Sequence, residues 1–147
     1  MAFLNAMNIS ASGLTAQRAR LDITSENIAN VNTTRTEAGE PYRRRMVVFE
    51  TEEKTNFKEI FNSKATSKYA DQQGVIVREI IEDESDYKSV YDPTHPDADE
   101  RGYVLMPNVD LLKETIDSME ASRAYDANVT AFNALKAMAT KGLEVGK

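Results

Sequence analysis

Two segments with a helical repeat of apolar residues, one near each end of the chain, constrain the fold more than any other feature of the sequence. The first segment runs from about Phe3 to Val31, and its large apolar residues recur every seven positions. These residues are Met7, Leu14, Leu21 and Ile28. A seven-residue repeat is typical of a helix that packs along one stripe. Gly13 lies within this segment and costs about 1 kcal/mol relative to alanine, so we predict a helix that needs a packing partner.

The second helical segment runs from about Asn108 to Gly142 and carries two rows of residues that differ in phase. The first row advances in steps of three and four, as Val109, Leu112, Ile116 and Met119. The second row keeps these steps but begins one residue out of phase, as Ala121, Ala124, Asn128, Ala131, Leu135, Met138, Gly142 and Val145. Such a skip is expected where a helix leaves one partner and meets another.

The middle of the chain changes from a helical to a β pattern. Two β-branched runs, 43–50 and 75–81, predict short strands, with Gly74 as a turn before the second. The stretch 91–97 contains two prolines and several acids, which predicts an ordered loop. We therefore predict an α+β protein. Its long N- and C-terminal helices, in residues 1–32 and 105–147, form a coiled-coil domain, and residues 33–104 form a small β-rich insert.

Many positions along the two helical rows are small, which limits the apolar area that the helices bury against each other. These positions are Ala11, Ala16, Ala121, Ala124, Ala127 and Ala131. At about 25 cal/mol per Å² of apolar surface, an isolated pair of such helices barely offsets the roughly 1–2 kcal/mol per residue needed to order the backbone. We expect the ends to be partly disordered alone and to gain order in a dense assembly of subunits. An ordinary helical bundle with an alanine-rich core is the alternative.

Charge and composition exclude several classes of function. The net charge is -6, and residues 82–100 carry eight acids and one lysine, a net of -7, which leaves about +1 for the rest of the chain. An acidic surface repels nucleic acids and anionic membranes, so we expect neither partner. No apolar run approaches the roughly 18 residues of a membrane span, and the N-terminus lacks the pattern of a cleaved signal peptide. The absence of cysteine excludes disulfides and thiolate chemistry.

The single histidine, His95, lies in the acidic loop near Asp92, Asp97, Asp99 and Glu100. One histidine among carboxylates lacks the nitrogen and sulfur ligands of zinc sites, and the spacing of a calcium loop is absent. No Gly-x-Ser-x-Gly motif accompanies it. We therefore predict no catalytic residue, no metal and no cofactor. A cell-wall hydrolase that uses the loop acids is kept as an alternative because acids are plentiful.

Three consecutive arginines, 43–45, lie in the first predicted strand. Acids surround them in the sequence, at Glu37, Glu40, Glu50, Glu52 and Glu53. A salt-bridged strand edge therefore explains the arginines better than a phosphate site does.

Three asparagines, Asn27, Asn30 and Asn32, lie at and just after the end of the first predicted helix. Their amides could cap helix carbonyls or cross-link neighbouring chains, and the spacing does not separate these roles from simple helix termination.

Two N-terminal phrases carry a family resemblance, at 11–17 (Ala-Ser-Gly-Leu-Thr-Ala-Gln) and at 25–36 (Ser-Glu-Asn-Ile-Ala-Asn-Val-Asn-Thr-Thr-Arg-Thr). They resemble the N-terminal signature of flagellar rod, hook and filament-associated proteins. Segments 41–45, 91–99 with 102–104, and 122–133 resemble the basal-body rod members of this family in particular. The resemblance thus covers both ends and the middle of the chain.

The resemblance implies a non-enzymatic subunit of the proximal rod that polymerises helically into a torque-transmitting drive shaft. Its implied partners are copies of itself, the rod proteins FlgB, FlgF, FlgG and FliE, and the flagellar type III export apparatus. Its implied location is the basal body in the cell envelope, in the periplasm where an outer membrane exists, after export without a cleaved signal peptide. A coiled-coil adaptor of a secretion apparatus that does not polymerise is the alternative.

The stripes and the resemblance together predict the residues that contact neighbouring subunits. We expect the N-terminal stripe to pack against both C-terminal rows, within a subunit and between subunits. The predicted positions are Met7, Leu14, Leu21, Asn27, Ile28, Asn30, Asn32, Val109, Leu112, Ile116, Met119, Ala124, Tyr125, Asn128, Ala131, Leu135 and Met138.

Overall fold

Among the described residues, two long helices flank four short strands in the chain order α-β-β-β-β-α. The computed structural model describes residues 2–52 and 73–145. The elements are α1 (Ala2–Ala29), β1 (Arg45–Thr51), β2 (Val75–Glu82), β3 (Lys88–Tyr91), β4 (Tyr103–Met106) and α2 (Leu111–Val145). The predicted α+β class, with long terminal helices and a small β insert between them, is confirmed.

The two helices run antiparallel along each other. Asn27 of α1 bonds Glu114 at the start of α2, at 2.9 Å. Seven residues earlier on α1 and three residues later on α2, Arg20 Nη2 lies 3.2 Å from Asp117 Oδ1. Gly13 then lies against Asn128. Because positions fall along α1 as they rise along α2, the chain returns beside its own N-terminal helix.

The two rows of α2 take different positions, and the second row faces α1 at Ala121 and Asn128. Ala121 is fully buried and Asn128 touches Gly13. At about 3.6 residues per turn, the first row then lies on the opposite side of the helix. Leu112, Ile116 and Met119 are 71%, 49% and 52% exposed. The expectation that these three residues pack against α1 inside the subunit is therefore wrong, whereas the predicted phase shift reflects a real change of face.

The centre of the contact on α1 consists of small and polar residues. Ala16, Thr24 and Asn27 are the buried side chains of α1 among those described. The predicted heptad stripe, at Met7, Leu14, Leu21 and Ile28, is only partly buried. The stripe residues thus lie beside the centre of the helix contact. The small side chains at that centre let the two backbones approach closely.

Gly13 marks this close approach. A Cβ built at Gly13 would lie 2.9 Å from Asn128 Oδ1. The Asn128 amide is itself held, because its Nδ2 donates to the Ala124 carbonyl oxygen at 2.9 Å. The glycine that weakens the isolated helix is therefore the residue that permits the pairing.

We expect Gly13→Val to lower the free energy of unfolding by about 1–3 kcal/mol, because the added side chain overpacks the helix contact. With Asn128→Ala in the background, Gly13→Ala should instead raise it by about 1 kcal/mol, since only the helix propensity then changes. Urea unfolding followed by circular dichroism measures both. An unchanged midpoint for Gly13→Val would contradict the close approach.

Two separate two-stranded sheets lie in the described part of the insert. Strands β1 and β2 pair antiparallel from Arg45↔Glu82 to Thr51↔Val75, with a bulge between Val48 and Phe49. Strands β3 and β4 pair antiparallel from Lys88↔Met106 to Tyr91↔Tyr103. The first pair matches the predicted runs, and a loop follows Tyr91 as predicted. The second pair was not predicted, because four residues are too short for a period to show.

A contact between Ser12 and Gly74 ties the first sheet to α1. The Ser12 hydroxyl accepts a hydrogen bond from the Val75 N–H at 3.1 Å and donates one to the Ile9 carbonyl oxygen at 2.8 Å. A Cβ at Gly74 would lie 2.6 Å from Ser12 Oγ. Gly74, predicted as a turn, thus also makes room for the helix at the start of β2.

Candidate assembly interface

A buried polar cluster joins the end of α1, the start of β1 and the start of α2. We call it the junction cluster, and it consists of Asn27, Tyr42, Arg44 and Glu114. Glu114 is 0% exposed, Asn27 1% and Tyr42 7%. Because buried polar groups destabilise a fold unless they are paired, the partners of each group decide what this cluster does.

Asn27 is bonded through both atoms of its amide. Its Nδ2 donates to Glu114 Oε2 and to the Arg45 carbonyl oxygen, both at 2.9 Å. Its Oδ1 accepts from the Tyr42 hydroxyl and from the Arg45 N–H, both at 2.9 Å. One side chain on α1 therefore holds the first strand and the second helix together.

Arg44 neutralises the buried carboxylate of Glu114. Its Nε lies 2.6 Å from Glu114 Oε1, and its Nη2 lies 3.4 Å from Asp117 Oδ2. Its Nη1 is 3.7 Å from Asp83 Oδ2, just beyond β2. Asp117 also pairs with Arg20 of α1 at 3.2 Å. The charges of four separate parts of the chain thus meet at this point.

The predicted salt bridges of the arginine run form, but with other acids than those nearby in the sequence. Arg45 pairs with Glu26 at 2.7 Å, and Arg44 pairs with the acids of the junction. Arg43 donates to the Asp83 carbonyl oxygen at 3.3 Å and lies over the Tyr87 ring. Sequence neighbours do not supply these partners, because the three side chains reach α1, α2 and the segment after β2 instead.

Burial raises the pKa of Tyr42 to about 12, and the nearby Glu26 carboxylate adds to the shift. The phenol therefore stays neutral over the physiological range. A neutral hydroxyl is required for its donation to Asn27.

The three asparagines have three different environments. Asn27 forms hydrogen bonds to other parts of its own subunit, so its role is neither helix capping nor cross-linking of neighbouring chains. Asn30 caps the helix end, since its Nδ2 donates to the Glu26 carbonyl oxygen at 2.9 Å and its Oδ1 accepts from Thr33 at 3.1 Å. Asn32 is exposed. Capping of a helix carbonyl thus explains Asn30.

The exposed row of α2 is a run of large apolar residues that the described parts of the subunit leave uncovered. We call Leu112, Ile116 and Met119 the outer row. Lys113 and Glu120, both exposed, follow two of its members on one flank. Elsewhere on the helices, Leu4, Met138 and Leu143 are exposed by 64%, 61% and 76%.

The remaining predicted contact positions divide by burial. Val109 is buried just before α2, and Ala131 is exposed. The partly buried positions are Ala124, Tyr125, Asn128 and Leu135. These four lie on or beside the face of α2 that meets α1, so the subunit itself covers part of each.

Two acidic residues of the His95 loop, Asp92 and Asp99, stabilise turns by accepting hydrogen bonds. Asp92 Oδ1 accepts from the N–H and the hydroxyl of Thr94, at 3.0 and 2.7 Å, and these bonds lower the pKa of Asp92. Asp99 Oδ1 accepts from the N–H groups of Arg101 and Tyr103. A lowered pKa is the opposite of what a catalytic acid requires. Within residues 2–52 and 73–145, no group of three or more acids and histidines could hold a metal ion.

Neither α1 nor α2 has a stretch apolar enough to cross a lipid bilayer, and these are the long helices among the described residues.

Comparison with known proteins agrees with this architecture at both ends of the chain. Residues 7–35 match the family model for the flagella basal body rod protein, and residues 100–145 match that for the C-terminal part of the flagellar basal body rod FlgEFG proteins. The chain is 49% identical to the flagellar basal-body rod protein FlgC of Bacillus subtilis over 151 residues, with full coverage of both chains. It is 41% identical to FlgC of Borreliella burgdorferi, with 99% of this chain and 98% of that one covered. It is 40% identical to FlgC of Escherichia coli, again with full coverage of both. The chain therefore belongs to the FlgC family of flagellar basal-body rod proteins.

Proposed function

We propose that this chain is a structural subunit of the proximal rod of the bacterial flagellar basal body. It polymerises helically with copies of itself, and the polymer is part of the drive shaft that transmits torque. The observation that supports this proposal most directly is the outer row, three large apolar residues exposed on the side of α2 opposite α1. Full-length similarity to FlgC proteins supports it independently.

The outer row supplies a driving force for association. Burying an exposed leucine, isoleucine or methionine contributes about 1.5–3 kcal/mol per side chain. Nothing in the described parts of the subunit covers this row, so an isolated monomer leaves its apolar surface exposed to water. In a polymer the same contact repeats at every subunit, so a modest energy per contact supports a long assembly.

We propose that the two parts of the chain have different roles in the rod. Residues 1–32 and 105–147 form the inner helical domain, which makes the rod contacts through the outer row and through the partly buried N-terminal stripe. Residues 33–104 form the outer domain. The junction cluster connects the two, and its buried ion pair and hydrogen bonds make that connection stiff, as a torque-bearing subunit requires.

The partners that fit this role are other copies, the rod proteins FlgB, FlgF, FlgG and FliE, and the flagellar type III export apparatus. The location is the flagellar basal body, within the cell envelope, reached through the flagellar type III export apparatus. The work is structural, and no catalytic step is part of it.

The test is Ile116→Asp. Ile116 is 49% exposed, so a charge there should not disturb the contacts inside the subunit but should block burial at the interface. In cells that lack their own FlgC, we expect this variant to be expressed but absent from isolated basal bodies, with motility lost. Cryo-electron microscopy and swimming assays give the readout.

The matched control is Thr130→Asp, an exposed residue further along the same side of α2. It should enter basal bodies normally. Wild-type motility of the Ile116→Asp strain would overturn the role given to the outer row. Should the wild-type chain bind one partner at a fixed ratio and never form filaments at high concentration, the adaptor alternative would replace the rod subunit.

A further inference from the structure

Under the function proposed above, the outer row has to meet a different surface on the neighbouring subunit. When a patch packs against its own copy, the contact has a two-fold axis and closes after two subunits. A helical polymer grows instead through contacts between two unlike patches. The subunit should therefore carry a second exposed apolar patch that complements Leu112, Ile116 and Met119.

Such a second patch lies on the sheet of β3 and β4. Tyr91 is paired with Tyr103, and Leu105 lies two residues further along β4, so the three side chains share one face of the sheet. We call Tyr91, Tyr103 and Leu105 the insert face. They are 63%, 45% and 51% exposed, and Tyr103 and Leu105 line a depression of about 500 Å³. The described part of the subunit thus leaves this face open to another chain.

The outer row ends in two exposed charges of opposite sign. Arg123 and Asp126 lie about one and two turns beyond Met119, so all three residues share one side of α2. Among the described residues, neither charged side chain has a hydrogen bond or an ion pair. Both charges are therefore available to a neighbouring subunit.

The insert face also ends in two exposed charges of opposite sign. Glu100 and Arg101 lie in the turn before β4, next to the pair of Tyr91 and Tyr103. Their side chains likewise have no hydrogen bond or ion pair within residues 2–52 and 73–145. An apolar stretch followed by one cation and one anion is thus common to both patches.

The two patches have similar lengths. Leu112 and Met119 are seven residues apart, about 10 Å along the helix axis. Leu105 and Tyr103 are two residues apart, about 7 Å along the strand. With Met119 against the tyrosines and Leu112 against Leu105, the charged ends of the two patches meet.

The other exposed apolar patches match the outer row less well. The acids within β1 and β2 already have arginine partners. These pairs are Glu50–Arg78, Glu79–Arg78 and Glu82–Arg45. At the far end of the helix pair, Lys141 bonds Glu144 at 2.9 Å, and Lys136 adds a further cation. The insert face is the better match for Arg123, because an unpaired acid lies beside it.

We propose that in the polymer the outer row of one subunit packs on the insert face of the next, with Arg123 beside Glu100 and Asp126 beside Arg101. The contact joins unlike surfaces, so it repeats from subunit to subunit without closing. It belongs to the assembled rod, where neighbouring chains hold α2 in place. An ordered α2 in the free subunit is not required for it.

Charge exchange tests the ion pair in cells that lack their own FlgC. Arg123→Glu should lower the amount of this chain in isolated basal bodies about tenfold, because a repulsion with Glu100 repeats at every contact. Adding Glu100→Arg should restore the amount to within about threefold of wild type. Adding Glu84→Arg instead, the same charge change at another exposed acid of the insert, should restore nothing.

Cross-linking tests which surfaces meet, and the chain contains no cysteine of its own. In isolated basal bodies, a chain with both Met119→Cys and Tyr103→Cys should give a ladder of dimers, trimers and larger products with a short thiol-specific cross-linker. Either cysteine alone should give no product of two copies, because each surface meets the other and not itself. Thr130→Cys combined with Tyr103→Cys is the control and should give no ladder.

The results separate this contact from the rod function. If the wild-type chain enters basal bodies but Glu100→Arg fails to rescue Arg123→Glu, the contact is wrong and the rod function stands. The same holds if Met119→Cys alone cross-links to itself, or if the double-cysteine chain enters basal bodies and gives no ladder. If the wild-type chain is absent from basal bodies, both proposals are wrong.

Discussion

Arg44→Met is expected to lower the free energy of unfolding by about 3–5 kcal/mol. The substitution removes the cation that lies 2.6 Å from the carboxylate of Glu114, a side chain with no exposed surface. A buried charge without its partner is far more costly than the pair was stabilising. Urea unfolding followed by circular dichroism measures the change.

Two variants control this result. Arg78→Met removes an exposed arginine whose ion pairs with Glu50 and Glu79 are both 3.8 Å long, so it should cost less than about 1 kcal/mol. Adding Glu114→Gln to Arg44→Met should recover at least half of the loss, because the buried group is then neutral. A loss for Arg44→Met no larger than that for Arg78→Met would show that Glu114 is not held as a buried ion pair.

Asn27→Asp is expected to destabilise the fold by about 3 kcal/mol or more at neutral pH. The change keeps the acceptor for Tyr42 and for the Arg45 N–H but loses the donor to Glu114 Oε2, which is 2.9 Å from the amide nitrogen. Two carboxylates at that distance cannot both be ionised in a buried site, so folding must take up a proton.

The sign of the resulting pH dependence distinguishes this mechanism from a loss of packing. The folded state of Asn27→Asp binds more protons than the unfolded state near neutral pH, so its stability should rise as the pH falls toward 5. Asn27→Leu, which loses every hydrogen bond of the amide without adding a charge, should be destabilised to a similar degree but should not regain stability in this way. Parallel pH profiles for the two variants would contradict the proximity of Asn27 to Glu114.

The outer row could be found from the sequence but could not be oriented from it. The spacing of Leu112, Ile116 and Met119 predicted a helical stripe, and the structure has the helix. The interpretation that this stripe meets α1 within the subunit failed, because periodicity gives the spacing of a row and not the rotation of the helix about its axis. The one-residue phase shift before Ala121 was the signal that two faces are involved.

The junction cluster was missed almost entirely, although one signal for it was present. Glu114 lies seven residues before Ala121 and fourteen before Asn128, so it occupies the same stripe as the residues that face α1. An acid on a buried stripe predicts a paired cation. The cation itself was not identifiable, because Arg44 is 70 residues away in the chain.

By itself, the sequence determined the local elements of this protein: two long terminal helices, the first pair of strands, the loop after Tyr91 and the absence of cysteine chemistry. It could do so because the apolar period, glycine, proline and composition act within a few turns of chain. Only the tertiary structure decided which face of α2 meets α1 and which acids pair with the arginines. Those choices depend on contacts between residues far apart in sequence, such as Asn27 and Glu114, where the close approach of small side chains and the neutralisation of buried charge select one arrangement.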